Sequence, residues 1–137
     1  MENIVINEFL IESLNKQYGK SLTDEIIEGY KCKRYTTLRI NTLKASKEDV
    51  LKELDELGIL YEQNELFTDA LIIKNKTSKE MLELELCKMG KIYLQSLSSM
   101  LPPVIMGPKE NTDILDMTAA PGGKTTQIAA LTNNNAN

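Results

Sequence analysis

Histidine is absent from the 137 residues of this chain. That absence excludes Ser-His-Asp and Cys-His nucleophile systems and any His-ligated metal site within it. Cysteine is scarce: Cys32 and Cys87 stand far apart with no Cys-x-x-Cys. They form neither a zinc knuckle nor a disulfide scaffold, which suits a reducing, cytoplasmic compartment, and no metal is expected. No apolar run approaches the roughly 20 residues of a membrane span. The opening MENIVINEFLIESL has no basic leader and interrupts its apolar residues with acidic ones, so it does not read as a signal peptide. No repeat at a fixed period is visible. An excess of positive charge is lacking too: the formal net charge is −4, so the whole molecule is not a generic polyanion binder. What is present, 42% hydrophobic and 26% charged residues, is the composition of a soluble globular protein. The length fits one ordinary domain, or one small domain and part of another.

Charge is unevenly spread. Residues 31–47, KCKRYTTLRINTLKASK, hold Lys31, Lys33, Arg34, Arg39, Lys44 and Lys47 and no acidic residue, whereas residues 48–69 hold eight acidic side chains against Lys52 alone. A basic stretch with Tyr35 inside it can contact a phosphate backbone and offer a ring for stacking. A solvated strand and turn whose lysines face water gives the same pattern.

Ile4, Ile6, Phe9, Leu10 and Leu14 recur near helical spacing, which predicts an amphipathic helix over 3–17, ended by Tyr18-Gly19. Ser21 or Thr23 can cap a second helix running to about Tyr30. Residues 35–41, YTTLRIN, read as a strand. Ser46-Lys47-Glu48-Asp49 resembles a capping box, and Val50, Leu51, Leu54 and Leu57 continue it as a helix stopped by Gly58. Strands over 59–61 and 70–74 and a short helix over 78–84 follow, with room for a closing strand near Leu84–Lys88. That order predicts an α+β sandwich, ferredoxin-like or RNA-recognition-motif-like, with the 46–57 helix on one face of the sheet and the other face open beside Arg39.

From Gly90 the composition shifts to small residues, Pro and Gly, so we place the domain boundary near Met89–Lys91: residues 1–89 form an RNA-binding-type domain with leading helices, and 90–137 begin a second domain. Lys91–Leu94 can be a strand. Leu97–Met106 is mostly apolar, and Pro102 and Pro103 argue against a regular helix there. Asp113–Met117 reads as a short buried strand, Pro121-Gly122-Gly123 as a tight loop, Lys124–Leu131 as a helix, and the terminal TNNNAN as frayed. Strand, glycine loop and helix leave backbone N–H groups at a helix N-terminus above the strand end.

Several readings of that loop compete. Gly123-Lys124-Thr125 matches the end of a Walker A loop, but its first glycine falls on Thr118. Adjacent glycines do not fit Gly-x-Gly-x-x-Gly. An S-adenosylmethionine loop fits the chemistry: Asp116 and the loop amides suit a ligand end bearing both an amine and a carboxylate, and Ala119 and Ala120 leave it space. An ordinary α/β turn is the plainest reading.

DMTAAPGGKTTQIA resembles the cofactor motif of the Sun-type (nucleolar-protein/Fmu) family of RNA cytosine-5 methyltransferases, Asp-x-Cys/Ala-Ala-Ala-Pro-Gly-Gly/Ser-Lys-Thr. TTLRINTLK at 36–44 is similar to that family's Leu-Arg-x-Asn-Thr-Leu signature, and GKIYLQSLSSMLPPVIM at 90–106 to its Gln-x-x-Ser-Ser-Met-Leu segment. The three stand in family order. Thr118 departs from the Cys of many members, at a position that is not catalytic in the family.

The resemblance implies a Rossmann-like α/β methyltransferase domain whose first strand, loop and helix follow the N-terminal domain. It implies S-adenosylmethionine as cofactor, held by Asp116, Thr118, Ala119, Ala120, Pro121, Gly122, Gly123 and Lys124, the last either a contact or a structural brace. It implies rRNA or tRNA as partner, with Lys31, Lys33, Arg34 and Arg39 as contact candidates. The family chemistry is attack of a cysteine thiolate on carbon 6 of cytosine, methyl transfer to carbon 5, and release aided by a second cysteine. Those cysteines lie in Pro-Cys and Thr-Cys motifs, and neither Cys32 nor Cys87 matches one. A βαβ unit needs roughly 30 or more residues, and fewer remain from Asp113, so the chain is expected to be the N-terminal part of a longer methyltransferase, without catalytic residues and inactive alone. The alternatives are a non-catalytic RNA-binding module and, more weakly, a degenerate P-loop protein.

Overall fold

The structure, a computed structural model, describes residues 6–32 and 34–137. The chain forms two compact units, parted between Arg34 and Tyr35.

The first unit is helical. Asn7 caps α1 (Glu8–Lys31), its side chain accepting from the Phe9 N–H at 2.8 Å. Gly19 interrupts α1 at φ 77 and ψ 167, a conformation that only glycine adopts at low cost, so the break falls where the sequence puts it. The Thr23 hydroxyl closes the break by donating to the Gly19 carbonyl at 2.8 Å. The predicted helix start at residue 3 lies outside the described residues.

The second unit runs β1 (Thr36–Ile40), α2 (Lys47–Glu56), β2 (Tyr61–Gln63), β3 (Ala70–Ile73), α3 (Ser78–Leu82), α4 (Glu85–Lys88), β4 (Ile92–Leu94), α5 (Leu97–Met106) and α6 (Gly123–Leu131). The four strands form an antiparallel sheet in the order β2-β3-β1-β4, with Leu38 opposite both Leu71 and Leu94. This is the ferredoxin-like α+β arrangement that the order of elements predicts. Alternation sends Leu38, Ile40, Leu71, Ile73 and Ile92 to one face, where they pack with Val50 and Leu54 of α2, Met81 of α3 and Leu86 of α4. The Ser46 hydroxyl caps α2 by accepting from the Asp49 N–H at 3.1 Å.

Three details of the sheet and of α5 differ from the sequence reading. The closing strand is not at 84–88: those residues form α4, which puts Leu86 into the core. Gly90 then turns the chain at φ 70, and the β-prone Ile92–Leu94 pair with β1. The sheet therefore continues past residues 89–91. Second, the face bearing Arg39 is not open. Register places Ala70 and Tyr93 beside Arg39, and Met100 of α5 packs there on Phe67 and Ala70. Third, Pro102 and Pro103 lie inside a regular α5. Pro103 has no N–H to offer the Ser99 carbonyl four residues back. The Gln95 side chain donates to that carbonyl instead, at 3.0 Å.

Asp113–Met117 is not a ladder strand and is not buried: Leu115 is 84% and Met117 88% exposed. A strand is stabilised by its neighbours, and the backbone bonds of this segment go to the chain's last residues rather than to a sheet. The Asn137 N–H donates to the Thr112 carbonyl at 3.1 Å and the Ile114 N–H to the Asn137 carbonyl at 2.9 Å, bracketing Asp113 as in a parallel pair. The Asn-rich end is thus tied down rather than frayed, with Asn133 and Asn135 also donating to Glu110.

Candidate functional site

Two anchors shape the loop between Met117 and α6. The first is Asp116. Its Oδ1 accepts from the Thr118 N–H at 2.9 Å and from the Thr118 hydroxyl at 3.2 Å, and its Oδ2 accepts from the Thr125 hydroxyl at 2.7 Å. These bonds, the Thr125 hydroxyl foremost, hold the Asp116 carboxyl below the usual carboxylate range and keep it charged. The Ala120–Pro121 peptide is cis. Gly122 then takes φ 108, which favours glycine, and opens α6. No side chain caps α6, so its first-turn amides have no side-chain acceptor.

The second anchor comes from the sheet. The Tyr93 hydroxyl donates to the Pro121 carbonyl at 3.0 Å. A Cβ at Gly123 would come within 3.3 Å of the Tyr93 ring and 3.5 Å of the Gln95 side chain, so glycine permits this close approach. Arg39 donates from Nε to Gln95 Oε1 at 3.3 Å and from Nη2 to Thr126 Oγ1 at 3.0 Å and the Gly123 carbonyl at 3.5 Å. Gln95 Nε2 donates to Gln127 Oε1 at 3.1 Å, and Gln127 Nε2 to the Met100 carbonyl at 2.9 Å.

The loop lies between two clefts. Thr118, Ala120, Pro121, Gly123 and Lys124 line one of about 250 Å³ together with Tyr93. Asp116 and Thr125 line another of about 240 Å³ with Ile114, Ile128 and Asn137. Asp116 and Lys124 thus belong to one loop and face different spaces.

The predicted RNA contacts fare unequally. Lys31 and Arg34 are exposed, Lys31 in an ion pair with Glu28. Lys33 lies outside the described residues. Arg39 does not face solvent: it is 4% exposed and its guanidinium serves the network above. Burial lowers its pKa, with Asp69 and Tyr93 offsetting part of that. Lys44 and Lys47 donate to the Met89 and Thr68 carbonyls. Neither thiol stands in the glycine loop or in its network. Cys32 is exposed and lies 3.8 Å from the Glu28 carbonyl, and burial pushes the half-buried Cys87 thiol up. Among the described residues no group of three or more Cys, Asp or Glu side chains could hold a metal, and no helix is long and apolar enough to cross a membrane.

Sequence reasoning missed Tyr93, Gln95, Thr125, Thr126 and Gln127. Gln95 had a signal, because it opens the Gln-x-x-Ser-Ser-Met-Leu segment and precedes a proline pair that leaves carbonyls four residues back without a donor. Gln127 is a lone amide in an otherwise small and apolar stretch of α6.

The family model described as Methyltr_RsmF/B-like, ferredoxin-like domain matches residues 6–80. A second, described as 16S rRNA methyltransferase RsmB/F, matches residues 103–137. The chain is similar to the 28S rRNA (cytosine-C(5))-methyltransferase of Mus musculus, 33% identical over 127 residues, which are 93% of this chain and 16% of that protein. It is 32% identical over 137 residues to ribosomal RNA small subunit methyltransferase F of Shewanella loihica, covering 96% of this chain and 28% of the relative. A solved methyltransferase homologue from Pyrococcus horikoshii matches with a TM-score of 0.70 at 25% identity, over 96% of this chain and 47% of that one. The chain therefore spans 16–28% of the length of these curated relatives.

Proposed function

Because the chain belongs to the RsmF/B-like ferredoxin-like domain family of methyltransferases, we propose that it supplies the RNA-facing domain and the cofactor loop of an S-adenosylmethionine-dependent RNA cytosine-5 methyltransferase acting on rRNA or tRNA in the cytoplasm. The observation that carries this reading is the uncapped N-terminus of α6 behind Gly122, beside a carboxylate held charged by two threonines. Asp116 can accept from the ammonium of the cofactor's methionine end, and the amides of Gly123 to Thr125 can face its carboxylate. Thr118, Ala119, Ala120 and Pro121 would wall the site, and Lys124 would brace the loop or contact the ligand. When bound, S-adenosylmethionine supplies the methyl group. The composition changes near 89–91, but the sheet runs on through β4, so the proposed division puts RNA contact on the residues up to the end of that sheet and the start of the methyltransferase part after it.

Lys31, Lys33 and Arg34 are the proposed phosphate contacts. Arg39 is not among them, since its charge is buried. The catalytic thiols belong to the part of the relatives that this chain does not span. The chain alone is then an RNA binder without turnover. In binding titrations against rRNA transcripts, affinity should fall with salt, and neutralising Lys31, Lys33 and Arg34 together should flatten the log–log slope by about 2 for single-stranded contacts. An unchanged slope argues against this RNA face. Labelled S-adenosylmethionine should leave no label on RNA in the presence of the chain alone, and any transfer would refute the inactive reading.

The second reading, a stand-alone RNA-binding module, is favoured by the sequence around Cys32 and Cys87, neither of which follows a Pro or a Thr. It predicts the same salt dependence but no saturable binding of S-adenosylmethionine in calorimetric titration. Binding of ATP in that titration, with none of S-adenosylmethionine, would favour a P-loop protein instead.

A further inference from the structure

Arg39 is a charged side chain placed where charge is costly. It is 4% exposed, and its Nη1 is buried without a hydrogen-bond partner. An arginine retained only for stability would be better replaced by an apolar residue, because burying a guanidinium forfeits its hydration. The partners that it does have share one destination. Nη2 meets the Thr126 hydroxyl and the Gly123 carbonyl, both in the first turn of α6. Nε meets Gln95, which in turn holds Gln127 of α6 and the Ser99 carbonyl of α5. Beside it on the same face of the sheet, Tyr93 holds the Pro121 carbonyl. The sheet thus reaches the glycine loop through side chains of β1 and β4 on the loop's inner side, while Asp116 holds it from the other.

We propose that Arg39 is a positioning residue: a strut from the ferredoxin-like sheet that fixes the first turn of α6, and with it the amides of the glycine loop, in the orientation that a ligand meets. This inference rests on reading that loop as the cofactor site. It gives the Leu-Arg-x-Asn-Thr-Leu segment a task other than RNA contact. The loop geometry becomes a property of the sheet, with Gln95 as the relay and Thr126 as the point of attachment. The fork of the guanidinium suits it, since Nε and Nη2 engage two different elements at once.

Amide hydrogen exchange on the 137-residue chain, free of RNA and cofactor, tests this strut independently of the functional reading. Arg39→Met and Thr126→Val should each speed exchange at residues 118–127 by about 10-fold or more, while β1–β3 amides keep wild-type protection. Thr126→Ser, which keeps the acceptor, should restore wild-type exchange, a rescue that loss of packing would not produce. The Thr126 hydroxyl also donates to the Gly122 carbonyl at 2.8 Å, so its effect supports the strut only where an Arg39 variant shares it. If Arg39→Met fails to fold, Arg39→Lys, which keeps the charge and loses the fork, decides, and unchanged loop exchange in it overturns the proposal. Unchanged loop exchange in Thr126→Val overturns the proposal, as does uniform acceleration across loop and sheet. Failure of the wild-type chain to bind S-adenosylmethionine would count against the functional reading and leave the exchange result standing.

Discussion

A carboxylate that accepts several hydrogen bonds keeps its charge far into acid, and Glu80 does so at the start of α3. Its Oε2 accepts from the Thr77 N–H and the Thr77 hydroxyl, both at 2.8 Å, and its Oε1 from Lys76 Nζ at 3.1 Å. The Thr77 N–H foremost, then its hydroxyl, pull the Glu80 pKa from 4.5 to about 2. The depressed value means that this capping box contributes fully above pH 4.5 and is lost as the pH falls from there toward 2. Thermal melts between pH 5 and 2 should show that loss, and Glu80→Gln should flatten it. An identical pH profile in the variant would show that the box contributes nothing. At this scale the partners of Asp116, Thr118 and Thr125, are close in sequence. The sequence reading misjudged Arg39, because its partners Gln95 and Thr126 lie 56 and 87 positions away. A basic residue in a basic run gives no sign of such a destination.

Local signals at the level of elements fared well wherever they were chemical. Ser46 caps α2 and Gly19 breaks α1, each for a reason visible in a few residues. Ser46→Ala should cost about 1 kcal/mol of unfolding free energy in urea. Leu38→Ala, at the buried centre of β1, should cost about 2–5 kcal/mol by the same measurement. Comparable losses for the two would mean that the sheet face is not the core. The misplaced elements share a cause. Residues 84–88 can be a strand or a helical turn by pattern alone, and the space beside β1 was taken by the more β-prone 92–94. The proline pair argued against a helix at 97–106, and a side chain from outside that helix met the orphan Ser99 carbonyl. The expected strand at 113–117 had the composition of a buried strand but only one short parallel contact, with the chain's own last residues.

For the whole molecule the consequence is an uneven surface. The sheet core is closed, whereas Ile105, Leu115 and Met117 stand more than two-thirds exposed. Exposed apolar groups of that size bind other apolar surfaces. The chain should therefore enhance the fluorescence of a hydrophobic dye under native conditions. Leu115→Ser with Met117→Ser should reduce that enhancement without shifting the unfolding midpoint. A large midpoint shift instead would show that these residues are packed. The order of elements from β1 to α3, the alternation that builds the sheet core, the Ser46 cap and the three family motifs were determined by the sequence, because each depends on residues within a few positions or on a pattern of fixed period. The closure of the second sheet face, the burial of Arg39 and the attachment of the glycine loop to the sheet were decided only by the tertiary structure. They depend on which distant donors and acceptors meet once water is excluded, and no local pattern encodes that meeting.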